Sequence, residues 1–467
     1  EDPEGMQRCG RSFSRHTSLS TLPCLRIQHS RAIPCLDDSF EPSTLDPNRP
    51  HAASSEHAIT VAQAHRNEMR ALEGRLHACV DRVAEACLPA ISSSSQALAQ
   101  RVAELSQVYT RERGELLQAP RSGAALEARL RFFLRRDQAI MQRILGELER
   151  FAGLPTGESW RVLDLGAGVG AMSVGTALFA KAGGRAKALH IDALDIDARA
   201  LGCMPPLLAR LAEEIALPIT LRIHPGDLRQ GALPGGAAAY DLILVSFVLN
   251  ELNAAKPSLE SSLQRLEHWG RSLAPGGSLI VIEPALREPT RALHRLRDAL
   301  LATGSSLRVA APCLHDAPCP MLRSERDWCH EEYGVEAPKE LQALAQKAGL
   351  RADRIRYSYL VLRHDGRNLR EALSPLPGTP LRMVSTRRVS KGKIELWGCG
   401  SPGSLRLSRL DRHRSEENAA FDALQRGRLF TVEPALSAPS ENQGLRIGPE
   451  SRIHLASADE GNSGGDE

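Results

Sequence analysis

The run Arg161-Val-Leu-Asp-Leu-Gly-Ala-Gly-Val-Gly170 is an apolar, strand-like stretch ending in glycines at alternate positions, and a helical pattern opens at Ala171. Gly166, Gly168 and Gly170 permit a tight turn and close approach of a ligand to the backbone. Asp164 stands two residues before the first glycine, and the spacing is G-x-G-x-G, not the G-x-G-x-x-G of dinucleotide turns. A glycine turn alone is weak as a signal, so its meaning depends on the strands and helices downstream of it.

The downstream segments agree with it. Ala188–Asp197 reads as a second strand ending in acid. There Asp195, with Asp197 as runner-up, is placed to hold two adjacent ribose hydroxyls, because a carboxylate accepts from both at once. His224-Pro-Gly-Asp227 comes after a third strand, where an acid meets an adenine amino group. Tyr240–Ser246 reads as a fourth strand, and Leu273-Ala-Pro-Gly-Gly277 as the turn before a fifth at Ser278–Glu283. Strands alternating with helical patterns over about 159–290 argue for a parallel sheet of βαβ units. Together these predict an α/β, Rossmann-like class I methyltransferase fold that binds S-adenosylmethionine. Its candidate cofactor residues are Asp164, Gly166, Gly168, Gly170, Asp195 and Asp227.

Methyl transfer depends mainly on lining a nucleophile up with the sulfonium methyl. The Asn/Asp-Pro-Pro-aromatic motif of many amino methyltransferases is missing from Ser246-Phe-Val-Leu-Asn-Glu-Leu252. Asn250 and Glu251 are weak catalytic candidates that equally well begin the next helix. The Pro-Cys pairs at 312–313 and 318–319 lie after the fifth strand, the wrong place for the cysteine nucleophile of a cytosine-C5 enzyme.

A second constellation is metal-like. Cys313, Cys319 and Cys329 fall within seventeen positions, amid prolines that would stiffen the loop, and Cys399 is a distant fourth. Four thiolates complete a tetrahedral zinc site or an iron–sulfur cluster, and His315 and His330 are further candidates as zinc ligands. The C-x5-C spacing is not a common zinc-ribbon pattern. A third feature is charge: residues 381–410 carry Arg382, Arg387, Arg388, Lys391, Lys393, Arg406 and Arg409 against Glu395 alone.

The elements that must position these residues are read from patterning. Residues 1–57 lack periodicity and read as a disordered leader. Glu4–Asp37 contains five arginines, several serines and no acid between its ends, a composition shared by organelle transit peptides and by Arg-rich disordered leaders. Residues 58–150 read as helical, with stripes such as Met69, Leu72, Leu76, Val80 and Val83, and Leu126, Leu130, Phe133, Ile140, Ile144 and Leu148. Cys79 and Cys87 fall on or beside the first stripe. Arg129, Arg131, Arg135, Arg136 and Arg143 are expected to form a solvated face. The core is placed at 151–300, the cysteine-rich and basic part at 301–415, a small extension at 416–456 and a disordered tail at 457–467. The 467 residues carry a net charge of +3, which says nothing about partners, and 4% aromatics, which argues against extensive base-stacking platforms. No apolar run approaches about twenty residues, so no membrane span is expected. Ten cysteines are too sparse for a secreted disulfide scaffold, and a reducing interior fits.

The sequence resembles the methyltransferase-like assembly factors of the mitochondrial small ribosomal subunit and their bacterial relatives. The likeness covers roughly 120–415. It is carried by VLDLGAGVGA at 162–171, VLNEL at 248–252, IEP at 282–284, APCLHDAPCP at 311–320, DWCH at 327–330 and SYLVLR at 358–363. The resemblance implies a [4Fe–4S] cluster on Cys313, Cys319, Cys329 and Cys399, ahead of zinc. It also implies S-adenosylmethionine at Asp164, Gly166, Gly168 and Asp195, and a partner in the small subunit and its rRNA. The basic segment, Arg382, Arg387, Arg388, Lys391 and Lys393, would then contact phosphates. The family often has Gly where Ala285 stands, which narrows the approach to cofactor or substrate. The implied protein is an intracellular monomer apart from the ribosome, in the mitochondrial matrix or bacterial cytoplasm. It is either an rRNA methyltransferase or a non-catalytic assembly scaffold.

Overall fold

The structure, a computed structural model, describes residues 52–88, 94–111, 122–231, 233–253, 258–436 and 444–456. The transit-peptide composition and the tail beyond 456 lie outside these residues. Helix α1 (Ala52–Cys87) begins within the segment expected to be a leader. It is followed by α2 (Ser95–Thr110) and α3 (Gly123–Ala128), which passes through a π turn at Arg129–Leu134 into α4 (Arg135–Arg150). Ser94 and Ser122 cap α2 and α3 by accepting from Ala97 and Ala125. The predicted stripe is buried at Leu72, Leu76, Val80 and Val83, and Cys79 is buried with it. The arginines of this region do not form a solvated face. Arg131 and Arg135 both reach Asp81 of α1 at 2.5 Å, Arg136 pairs with Asp137 at 2.6 Å, and Arg129 pairs with Asp197 at 2.9 Å. Asp81 and Asp197, which pair with Arg131, Arg135 and Arg129, come from other segments, which periodicity within one helix does not reveal.

The central sheet is built in chain order from β1 (Ser159–Leu165), α5 (Ala171–Lys181), β2 (Ala188–Asp195), α6 (Ala198–Leu201), α7 (Met204–Ile215), β3 (Ile219–Pro225), β4 (Tyr240–Ser246), α8 (Leu249–Leu252), α9 (Leu259–Gly270), β5 (Leu273–Pro284), α10 (Arg287–Ala302), β6 (Arg308–Ala311), β7 (Glu331–Gly334), α11 (Lys339–Lys347) and β8 (Arg354–Arg363). Its order is β3-β2-β1-β4-β5-β8-β6, with β7 pairing beside β8. Strands β1 to β5 are mutually parallel, whereas β8 runs antiparallel between β5 and β6. That order, with one antiparallel strand slotted in next to last, is the class I methyltransferase sheet. The buried faces read as apolar runs because helices cover both sides. Val162, Ile191 and Leu242 pack with α4, α5 and α7, whereas Leu163, Ile243 and Leu279 pack with α9 and α10. The sheet closes at Arg363, so the core extends past residue 300 and the cysteine-rich segment is a loop between β6 and β7.

A second sheet comprises β9 (Thr379–Met383), β10 (Arg388–Ser390), β11 (Lys393–Gly400), β12 (Gly403–Leu410), β13 (Leu429–Glu433), β14 (Leu445–Arg446) and β15 (Arg452–Leu455). β9 and β10 act as one bent strand: β9 pairs with β13 and with the end of β11, and β10 pairs with the start of β11. β11 and β12 form a hairpin. The last strand is interrupted, its first part β14 lying parallel to β12 and its second part β15 antiparallel to β13. These pairings close a five-stranded Greek-key barrel, with a helical turn at Ala419–Ala423 between its third and fourth strands. This is the topology of an OB-fold. It crosses the boundary placed at 415/416 on sequence, and its core is Leu381, Leu396, Leu405, Leu407, Phe421 and Phe430.

Candidate functional site

All three loop glycines have positive φ: 74° at Gly166, 54° at Gly168 and 88° at Gly170. A Cβ on Gly166 would collide with Val248, and one on Gly170 would press on Met204, but a Cβ on Gly168 would meet nothing within 4 Å. The turn is fastened to β2, since Gly166 and Ala167 donate to the Leu194 carbonyl at 2.7 and 3.1 Å. Gly168 N–H donates to Asp195 at 2.8 Å, and Asp197 N–H donates to the other carboxylate oxygen at 2.7 Å. Asp195 therefore stands beside the open glycine with lone pairs left to accept from hydroxyls. Asp197 is committed elsewhere: it caps α6 and pairs with Arg129. Asp227 pairs with Arg229 at 2.6 Å, which holds its carboxyl below the usual range. Gly226 N–H donates to the Asp195 carbonyl at 3.0 Å, which brings the Asp227 turn to the end of β2.

Asp164 is fully buried. One oxygen accepts from Ser173 Oγ at 2.6 Å, and Oδ1 has no hydrogen-bond partner among the described residues. Burial, reinforced by the nearby Asp195, raises its pKa to about 6. An unpaired buried carboxylate oxygen is costly in isolation. Opposite a cation it would be stabilised, and that suits the methionine end of S-adenosylmethionine.

At the carboxyl end of β4, Phe247 adopts φ 61°, a left-handed conformation that bulky residues avoid. No pattern in the sequence signals it. Next to it, Asn250 donates both amide hydrogens, to the Phe247 carbonyl at 3.1 Å and to Glu283 at 2.7 Å. Asn250 thus ties the ends of β4 and β5 together while α8 begins at Leu249. Glu251 lies on α8 and is half-buried.

Cys313, Cys319, Cys329 and Cys399 line one cavity of about 40 Å³, together with His294, Arg297 and other residues. The space exceeds that of a single water. The first three thiols come from the β6–β7 loop and the fourth from β11 of the barrel. Burial pushes Cys319 up to about 12, and Cys329 and Cys399 well above the usual thiol range; in each case the neighbouring thiols push further in the same direction. Arg297, itself buried, is the countercharge, and it also donates to the Ala317 carbonyl at 2.9 Å. Asp298 accepts from Cys319 N–H at 2.8 Å. Arg291 gathers the Met321, Ser324 and Asp327 carbonyls at 2.6–2.8 Å. His315 Nδ1 lies 3.1 Å from the Ala317 carbonyl, so that nitrogen carries the proton, leaving Nε2, 3.5 Å from Cys399 Sγ, to accept from the thiol. Among the described residues no three His, Cys, Asp or Glu side chains stand close enough together to hold one metal ion. Trp328 Nε1 donates to the Ala285 carbonyl at 3.2 Å, linking this loop to the end of β5.

The family profile described as mitochondrial small ribosomal subunit Rsm22 matches residues 159–425, more than half of the chain. The chain belongs to the Rsm22 family. No curated protein matches it. Among solved structures it is similar to an S-adenosylmethionine-dependent methyltransferase of Leishmania major, at 15% identity over 61% of this chain and 91% of that one, with a TM-score of 0.29. Others are the YcgJ protein of Bacillus subtilis, at 11% identity over 48% and 97% with a TM-score of 0.26, and the plantazolicin methyltransferase BpumL, at 13% over 58% and 95% with a TM-score of 0.29. The fold assignment rests on the strand order.

In this Rsm22-family chain the basic segment divides in two. Arg387, Arg388, Lys391, Lys393 and Arg406 lie on the outside of the barrel or at its β10–β11 turn. Arg382 does not belong with them. It is 2% exposed, reaching Glu147 of α4 at 2.6 Å and Glu331 of β7 at 2.8 Å. Arg409 is likewise buried, against Asn418 and Asp422. Alternation puts Arg409 on the inner row of the barrel with Leu405 and Leu407, whereas Arg382, between the core residues Leu381 and Met383, is on the outer row and is buried because α4 and β7 pack over it. Arg291, Arg297 and Asp298 were missed because they lie on α10, ahead of the cysteines, with nothing in their spacing to connect them.

Proposed function

We propose that this protein binds S-adenosylmethionine and acts on the small ribosomal subunit during its assembly, as a methyltransferase-type factor bound to rRNA. The observation carrying the cofactor is the partnerless Oδ1 of buried Asp164, set behind a glycine turn whose middle glycine faces open space and hydrogen-bonds Asp195. Asp195 would take the ribose hydroxyls and Asp227 the adenine side. Family membership supports the ribosomal setting, which in a eukaryotic cell is the mitochondrial matrix. Among the described residues no helix is long and apolar enough to cross a membrane.

Cys313, Cys319, Cys329 and Cys399 would hold a [4Fe–4S] cluster. A single zinc draws four sulfurs to about 2.3 Å from one point, whereas a cluster takes one thiolate at each iron. When bound, it would supply a staple between the core and the barrel. Anaerobically purified protein should be brown and contain iron and sulfide; colourless protein with stoichiometric zinc would refute this choice.

A non-catalytic scaffold is the second reading. It is favoured by Asn250, whose amide is used to tie β4 to β5. Transfer of a tritiated methyl group to immature small-subunit particles, with product mapping, separates the two. Labelled rRNA supports the enzyme; cofactor binding without label supports the scaffold.

A further inference from the structure

We infer that the barrel is a single-strand RNA site centred on Trp397. The inference rests on the proposal that the basic segment meets RNA, and it narrows that proposal to one face and one form of RNA. OB-folds receive oligonucleotides across their second and third strands and the loop joining the first two. Here these are β11, β12 and the β10–β11 turn at Lys391-Gly392.

The side chains on that face fit. Along β11, Leu396, Gly398 and Gly400 point into the barrel, while Glu395, Trp397 and Cys399 alternate outward. Trp397 is directly opposite Arg406 on β12, and Arg388 on β10 is opposite Glu395. The Arg388 guanidinium lies 5.1 Å from the Trp397 ring centroid. An indole flanked by two arginines on neighbouring strands offers a stacking surface between cations, and this combination holds a base and its phosphates without reading sequence. On β10, opposite Ile394, Val389 is 68% exposed, the most exposed large apolar residue among those described. Glu395 is held by Lys393 at 2.7 Å, so the one acid on the face is locally neutralised. An A-form duplex presents phosphates and sugars outward and keeps its bases stacked, so it has no base to give Trp397.

Cys399 lies two residues beyond Trp397 on the same outward row, so one strand carries the half-buried indole and, at its end, a thiol of the core-facing cavity. The barrel face and the cysteine cavity are thereby fixed in register.

The test uses full-length protein and two fluorescein-labelled probes, a twelve-nucleotide oligouridylate and a mixed-sequence RNA duplex. Wild type should bind oligouridylate more tightly than duplex. Trp397→Ala should weaken oligouridylate binding roughly tenfold or more with an unchanged salt slope, and Trp397→Phe should restore most of it. Arg388→Glu with Lys391→Glu should reduce both affinity and salt slope. Oligouridylate should also quench a component of tryptophan fluorescence that is missing from Trp397→Phe. Equal binding by Trp397→Ala and wild type, or preference for duplex, overturns the single-strand site while leaving the basic segment's RNA role intact. No salt-dependent binding to either probe, together with unaltered co-sedimentation of the charge-reversed variant with small subunits, overturns both.

Discussion

Arg382 of the barrel places its Nη2 2.6 Å from Glu147 Oε1 on α4, and its Nε 2.8 Å from Glu331 Oε1 on β7. Tyr333 and Tyr359 donate to Glu147 from the same pocket. One guanidinium therefore joins the N-terminal helices, the edge of the methyltransferase sheet and the barrel. The two carboxylates hold Arg382 charged despite its burial, and it in turn keeps Glu147 ionised, below the ordinary glutamate range.

Removing a buried cation leaves two carboxylates uncompensated, so Arg382→Ala should cost about 3–5 kcal/mol in chemical denaturation. Arg388→Ala, on the barrel surface, should stay within about 0.5 kcal/mol. Affinity for small-subunit RNA should respond in the opposite way, falling for Arg388→Ala and holding for whatever folded fraction of Arg382→Ala remains. A mild stability effect at Arg382, with a loss of RNA affinity to match Arg388, would return it to the binding surface.

The glycine turn separates folding from ligand access. Gly166→Ala meets Val248 and should lower the melting temperature sharply. Gly168→Ala has room for its methyl and loses only the left-handed preference, about 1–2 kcal/mol. Its methyl would nevertheless project into the open space beside the turn. Calorimetry should find Gly168→Ala folded and at least about tenfold weaker for S-adenosylmethionine. Undiminished binding would place the cofactor elsewhere.

These residues also mark how much was legible. The turn, Asp195 and the strand order were readable because parallel strands and their glycine turns are local patterns, each set by a few neighbouring residues. The barrel was not. Its closure depends on β14 lying beside β12 and β9 beside β13, pairings that span tens of residues and leave no period in the sequence. For the same reason Arg382 and Arg388 looked alike: both face out of the barrel, and only the packing of α4 and β7 over Arg382 tells them apart. The cysteines were visible as a set, but Arg297 and Asp298, which set their charge environment, reach them only through the fold.

The cysteine cavity makes a prediction about coupling. Cys319→Ser and Cys399→Ser should each lose most of the bound iron and sulfide. Because Cys399 is on β11, loss of the cluster should speed hydrogen exchange in β11 and β12 while β1–β5 stay protected. Faster exchange throughout the sheet would mean the cysteines support the core rather than clamp the barrel. Retained iron in both variants would rule out these ligands.

Asp164 sets a pH dependence whose sign can be worked out. Its pKa of about 6 in the free protein lies above the ordinary value because burial disfavours the anion. Below pH 6 the free protein therefore holds a proton there, and its anionic form becomes the majority only as pH rises. Bound S-adenosylmethionine, with its sulfonium and ammonium, stabilises the anion and lowers that pKa, so binding releases a proton in the acid range. Affinity should accordingly be flat above about pH 7 and weaken as pH falls through 6, reaching roughly tenfold by pH 5. Asp164→Asn keeps a side chain able to accept from Ser173 but has no charge to titrate. Its affinity should be low and level from pH 5 to 7.5, near the acid limit of the wild type. Calorimetry in two buffers of different ionisation enthalpy would count the released proton directly. A wild-type affinity indifferent to pH over this range, or an Asn variant that retains full affinity at pH 7.5, would mean that the carboxylate does not meet the cofactor's charge.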